Sequence, residues 1–169
     1  YFINKYLFIV LWVGICFGHD TWDVIQESIW NPKCTMYHVS GSSFAEQSGL
    51  ILTEDVAYEE LINVTPKNPH AAEDGLELVG TNGIASLYSS YLWEKINAPN
   101  YEHFYEDHPE YGSIMPMGLD FLTNGELELI RQWIIAGAPE NGHVADESLL
   151  LDTAIFALPD FEPLEIPEN

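Results

Sequence analysis

Cys34-Thr35-Met36-Tyr37-His38 is the stretch on which the reading of this chain turns. A thiol stands four residues ahead of an imidazole, after a run in which Trp22, Val24, Ile25, Ile29 and Trp30 recur at roughly helical spacing. Asp20 or Thr21 can cap that helix, and Asn31-Pro32 is expected to end it, because proline disfavours helical backbone in the residue before it. Cys34 then opens a loop or a new turn. The counterpart lies far along the chain in Ser113-Ile114-Met115-Pro116-Met117-Gly118, a loop offering a thioether ahead of a capped helix. An imidazole from the first segment and a thioether from the second could approach one metal centre from opposite sides.

Outward from these two segments the chain reads as helices joined by long loops. Residues 39–48 are rich in Ser and Gly and read as a loop. Thr53 can cap a helix with an acidic first turn and an apolar face of Val56, Tyr58, Leu61 and Ile62. Residues 66–70, with Pro66, Pro69 and His70, read as irregular. Leu76 to Val79 alternates like a short extended piece, and Thr81-Asn82-Gly83 marks a turn. A third helix, capped by Ser86 or Ser89, carries Leu87, Tyr91, Leu92 and Ile96 up to Asn97-Ala98-Pro99. A polar, aromatic insert fills residues 100–112. Thr123-Asn124-Gly125-Glu126 is a capping box, after which Leu127, Ile130, Trp133 and Ile134 repeat at three and four until Gly137 ends the helix. About four short helices with almost no strand make an all-α domain. Such helices bury little unless something fills the middle, and a flat cofactor would serve.

Composition bounds the function. With 169 residues, 47% of them hydrophobic, one compact domain is expected. Against 27 acidic residues stand only 5 basic ones, for a net charge of −22. That charge argues against nucleic acid and anionic membrane surfaces as partners and is compatible with a basic one. Residues 1–18 read as an export signal, with Lys5 ahead of an apolar run from Tyr6 to Phe17 and small residues before a cut after Gly18. A lipidated Cys16 ranks second, and a retained anchor is a third reading; only these two would bring the chain to a membrane. Cleavage would leave Cys34 as the lone cysteine, in a periplasmic or extracellular setting. The expected organisation is a signal over 1–18, a domain over 19–139 and an acidic, Pro-containing extension or linker over 140–169.

Six segments in order carry a resemblance: Cys34 to His38, Gly49-Leu50-Ile51-Leu52, Glu54 to Ile62, Ser90-Tyr91-Leu92-Trp93-Glu94-Lys95-Ile96, Met115-Pro116, and Trp133-Ile134-Ile135-Ala136-Gly137-Ala138. Over roughly residues 22–139 the chain resembles the small c-type cytochrome domains of large exported bacterial proteins. The resemblance implies a cytochrome c-like fold around a haem pocket. It implies that His38 is the proximal axial ligand to the iron, Met115 before Pro116 the distal one, and Cys34 the first thioether cysteine. Covalent attachment follows C-x-x-C-H, and Tyr37 stands where the second cysteine would be. The implied cofactor is thus haem c held by a single thioether, or a non-covalent haem. With both axial places filled, the implied function is electron transfer, as a carrier or as the electron-entry domain of a larger enzyme. Its partner would be a redox protein or an adjoining redox domain.

Other readings stand beside it. Met117 is a rival distal ligand. A haem-free, cytochrome-derived structural or interaction module would be colourless, its core closed by Tyr37. A copper site of Cys34, His38 and Met115 needs a second imidazole, from His70 or His143. His103 and His108 lie among acids with no metal-ligand spacing. Trp93 and Trp133 read as core. The sequence has no G-x-S-x-G, H-E-x-x-H or P-loop motif to support a hydrolase.

Overall fold

The computed structural model describes residues 19–98 and 104–155. The signal expected over residues 1–18, residues 99–103 at the start of the insert, and the chain after Ile155 lie outside the described residues. Among those described, the architecture is helical, and β-structure is limited to two isolated parallel bridges, Ile62 to Val79 and Glu77 to Ser90. No helix among them is long and apolar enough to cross a membrane.

The first rod does not stop before proline. Helix α1 (Thr21–Ile25) passes through a π turn (Gln26–Trp30) into α2 (Asn31–Lys33), and Pro32 sits in the first turn of α2. A proline inside a regular helix removes one bond and presses on the carbonyl four residues back. Here the turn before it is widened, with the Asn31 N–H donating to the Gln26 carbonyl. The expected break at Asn31-Pro32 is therefore corrected to a rod that runs up to Cys34.

Two short helices replace expected irregular chain. Helix α3 (Ser43–Ser48) is capped by the Ser42 hydroxyl, which accepts from the Ala45 N–H, and ends at Gly49 with φ 67°. Helix α5 (Pro69–Glu73) has Pro69 in its first turn, and the Asn68 side chain accepts from the Ala71 N–H. Helix α4 (Ala57–Leu61) starts later than expected, with the Thr53 carbonyl, not its side chain, accepting from Ala57. The third expected helix is two, α6 (Ser86–Ser89) and α7 (Tyr91–Asn97), broken at extended Ser90, whose hydroxyl accepts from the Gly80 N–H. Helix α8 (Phe104–Asp107) lies in the insert. Helix α9 (Asn124–Ile135) carries the full capping box between Thr123 and Glu126. The expectation of about four short helices thus gives way to more and shorter ones.

The core forms where α1 and the π turn meet α9. Ile25, Ile29 and Trp30 are buried against Leu129, Ile130, Trp133 and Ile134, with Leu52, Leu61, Val79 and Ile96 closing the sides. Each fully buried side chain of this kind contributes about 1.5–3 kcal/mol. The Trp22 ring lies 5.3 Å from Trp133 and 5.2 Å, edge-on, from Tyr58. Trp93 and Trp133 are core, as expected.

The chain beyond Pro139 wraps back onto this core. Thr21 donates its N–H to the Gly142 carbonyl, and its hydroxyl accepts from Val144 and Ala145. A 3₁₀ turn (Glu147–Leu151) then packs on the start of α9, where Gly125 donates to the Asp152 carbonyl. The compact unit therefore extends past residue 139 to Ala154, whose carbonyl accepts from Asn124.

Candidate functional site

The pentad is held by its backbone. Cys34 and Thr35 donate to the Trp30 carbonyl at the end of the rod, and Tyr37 and His38 both donate to the Cys34 carbonyl at 3.0 Å. Leu52 donates to the His38 carbonyl at 2.8 Å, and the Leu52 carbonyl accepts from the Thr35 hydroxyl and the Gln26 amide. The segment after α3 thereby fixes the loop from outside. On the far side, Met115 donates its N–H to the Lys95 carbonyl at 3.0 Å, which ties the methionine loop to α7.

Between these two attachments lies a cavity of about 540 Å³. Cys34, Tyr37 and His38 line it, and so do Met115, Pro116 and Met117. Phe44 and Ser48 of α3, Leu50 and Leu52, and Tyr91, Leu92 and Ile96 of α7 complete an apolar wall. Its size falls within the range of pockets that take cofactors and other small molecules. All five residues singled out in the sequence thus meet at one space.

His38 is 8% exposed. Its Nδ1 lies 3.3 Å from the Leu50 carbonyl and 3.4 Å from the Ser48 hydroxyl. A carbonyl can only accept, so the tautomer matched to it carries the proton on Nδ1 and leaves the Nε2 lone pair for a ligand. Burial holds the imidazole below its usual range, against a raising by the Leu50 hydrogen bond, and so favours the neutral ring. Cys34 is a free, half-buried thiol. Burial pushes it up to about 12, against a lowering by Lys33, so it rests protonated. Tyr37 packs edge-on against Phe44, with ring centroids 5.2 Å apart. An aromatic pair thus stands where a C-x-x-C-H pentad would have its second sulfur.

Three lysines line the same cavity, and the motif reading gave them no role. Lys33 pairs with Glu126 at 2.6 Å and ties the pentad to the α9 cap. Lys67 is exposed and donates to the Glu46 carbonyl. Lys95 is buried, donates to the Tyr111 carbonyl at 2.8 Å, and is held at about 8 by burial, below its usual 10.5. The sequence did carry a signal, since with only 5 basic residues in the chain each one's position is informative.

The copper reading loses its second imidazole. His70 and His143 are both exposed, and neither lines the cavity. Among the described residues no group of three or more His, Cys, Asp and Glu could hold a bare metal ion. His108 stacks on Tyr111 at 4.4 Å, and His103 lies outside the described residues. The donor chemistry at the cavity is one neutral imidazole, two thioethers and a neutral thiol in apolar surroundings. That set fits a metal carried in by an organic macrocycle better than a free ion, since the protein needs to supply only the axial bonds. Comparison with protein-family models, with the curated proteins and with the solved structures finds no match.

Proposed function

We propose that this chain is a monohaem, c-type-cytochrome-like electron-transfer domain, exported from the cytoplasm and working beside a redox partner or an adjoining redox domain. The observation that carries the reading is that His38 and the Met115 loop, 77 positions apart in the sequence, line one apolar cavity together with Cys34. His38 would hold the iron from one side through Nε2, with Leu50 and Ser48 orienting its ring. Met115 would hold it from the other, and Met117 is the second thioether within the same lining. Cys34 would add its S–H across one vinyl group, sulfur to one carbon and hydrogen to the other, giving a single thioether with no net redox change. Tyr37 and Phe44 would cover the edge at which a second cysteine would have reacted.

The haem would supply a one-electron iron couple. The protein's own part would be to offer His38 and Met115 to the iron, to exclude water with the Leu50, Leu52, Leu92 and Ile96 wall, and to set the potential. A thioether is a weak donor that favours the reduced iron, so a His/Met pair implies a higher potential than two histidines would.

Expression in a periplasm with haem-maturation machinery tests the reading. The folded protein is expected to show a reduced α band and to carry haem through denaturing electrophoresis. Cys34→Ser should lose haem on the gel while keeping the band in solution. A folded but colourless protein would instead support the haem-free module, for which the Tyr37–Phe44 pair inside the cavity is the observation in favour.

A further inference from the structure

The distribution of positive charge is the feature of the cavity that axial ligation leaves unexplained. The chain has 5 basic residues, and three of them, Lys33, Lys67 and Lys95, line this one space in a molecule of net charge −22. Two already have work elsewhere: Lys33 is paired with Glu126, and exposed Lys67 donates to the Glu46 carbonyl. Lys95 differs. It is 7% exposed, and among the described residues no carboxylate forms an ion pair with it.

The groups recorded against its ammonium are a carbonyl and two aromatic rings. The ammonium donates to the Tyr111 carbonyl at 2.8 Å and lies 5.6 Å and 5.8 Å from the ring centroids of Tyr91 and Phe104. It also lies against Gly112, where an added Cβ would approach Nζ to 3.7 Å. Lys95, Tyr91, Tyr111 and Gly112 all line the cavity, so this residue stands where its wall meets the small cluster of Ala71, Ala98, Phe104 and Tyr111. A buried ammonium has three protons to donate, and isolating it from water is costly unless an anion compensates. Among the described residues no carboxylate pairs with this lysine, and Asp74 accepts from the Tyr111 hydroxyl instead, which leaves Nζ protons for something brought in.

We propose that Lys95 is the carboxylate receptor of the cavity, and that the ligand it admits is an anionic amphiphile whose apolar body lies along Leu92 and Ile96 while a carboxylate meets Nζ at the Tyr111–Gly112 turn. This rests on the haem reading and deepens it, since the carboxylate is then a propionate of the porphyrin. Lys95 acts as a recognition residue and has no part in the axial ligation by His38 and Met115. The site accordingly discriminates between porphyrins of the same size and shape by their charge alone.

The test compares haem with haem dimethyl ester, the same macrocycle with both carboxylates neutralised. Both are titrated into the folded protein, with quenching of tryptophan fluorescence as the readout of binding. Wild type is expected to bind haem about 10-fold or more tightly than the ester, the size of one charge-assisted hydrogen bond out of water. Lys95→Met should lose that preference by weakening haem and leaving the ester unchanged, and Lys95→Arg should keep it. Circular dichroism confirms that each variant is folded. Equal affinity of wild type for both porphyrins, or a preference that survives in Lys95→Met, overturns the role of Lys95 and leaves the haem reading standing. Failure of folded wild type to bind either porphyrin overturns both.

Discussion

At the scale of single residues, the site depends on which atoms are left unpaired. The His38 Nδ1 faces the Leu50 carbonyl, so the other nitrogen is the one free to bind. Replacing His38 by Ala should abolish axial ligation, read as loss of the low-spin haem spectrum, while the fold, read by circular dichroism, persists. Tyr111 makes a prediction in the haem-free protein. Its hydroxyl donates to Asp74 at 2.7 Å, and burial together with that carboxylate holds the phenol above its usual range. The folded state therefore keeps this proton longer than the unfolded chain does, and the resulting stabilisation is full below about pH 10 and lost as pH rises further. Tyr111→Phe should lower stability by about 1 kcal/mol at pH 7 and flatten part of the alkaline decline, as measured by urea unfolding between pH 7 and 11. Tyr91, also raised by burial, will retain some of that slope.

The residues of the site were legible in the sequence because sulfur and imidazole are rare and their spacing carries meaning. Lys95 was legible only as one letter of a motif. The role proposed for it depends on burial and on the absence, among the described residues, of a paired carboxylate, and neither is a property of the local sequence.

At the scale of elements, the sequence was clearest where local chemistry and tertiary packing agree. The Thr123 capping box and the three-and-four repeat that follows form α9 as read. Where Ser, Gly and Pro dominate, composition concealed structure: Ser42 and Asn68 are caps, and Gly49 and Pro69 stand at helix ends in α3 and α5. The same residues that signal loops also start and stop short helices, and only distant contacts decide between the two. Pro32 shows the converse, because a π turn ahead of it lets a rod continue where a regular helix would break. Replacing Asn68 by Ala should remove one side-chain cap and cost about 1 kcal/mol in thermal or urea unfolding.

Gly125 tests how α9 is joined to the chain that returns after it. A Cβ there would lie 2.0 Å from the Leu149 carbonyl oxygen and 2.8 Å from that of Asp152, so the 3₁₀ turn can rest on the helix only while position 125 lacks a side chain. Gly125→Ala should therefore destabilise by about 1–3 kcal/mol despite the better helix propensity of alanine. Limited proteolysis should then cut within residues 142–154 before any other described segment.

At the scale of the whole molecule, the compact helical domain followed from composition and periodicity, but its limit did not. The stretch after Pro139 is acidic and rich in proline, which reads as linker. It nonetheless supplies the Gly142 carbonyl and the Val144 and Ala145 N–H groups that satisfy Thr21 at the start of the rod. Those hydrogen bonds join positions more than 120 apart, a relation that no window of sequence displays. The helices are short and are tied by contacts between the first and last described segments, so the space lined by the pentad, α3, α7 and the methionine loop is a product of the whole fold.

The most direct measurement is the spin state of iron in the haem-loaded protein, recorded for wild type, His38→Ala, Met115→Ala and Met117→Ala by absorption and electron paramagnetic resonance. The expected result is a low-spin, six-coordinate centre in wild type and Met117→Ala, and a high-spin centre once either His38 or Met115 is replaced. A wild-type spectrum that is high-spin, or one left unchanged in His38→Ala or in Met115→Ala, would contradict the placing of those two side chains on one iron.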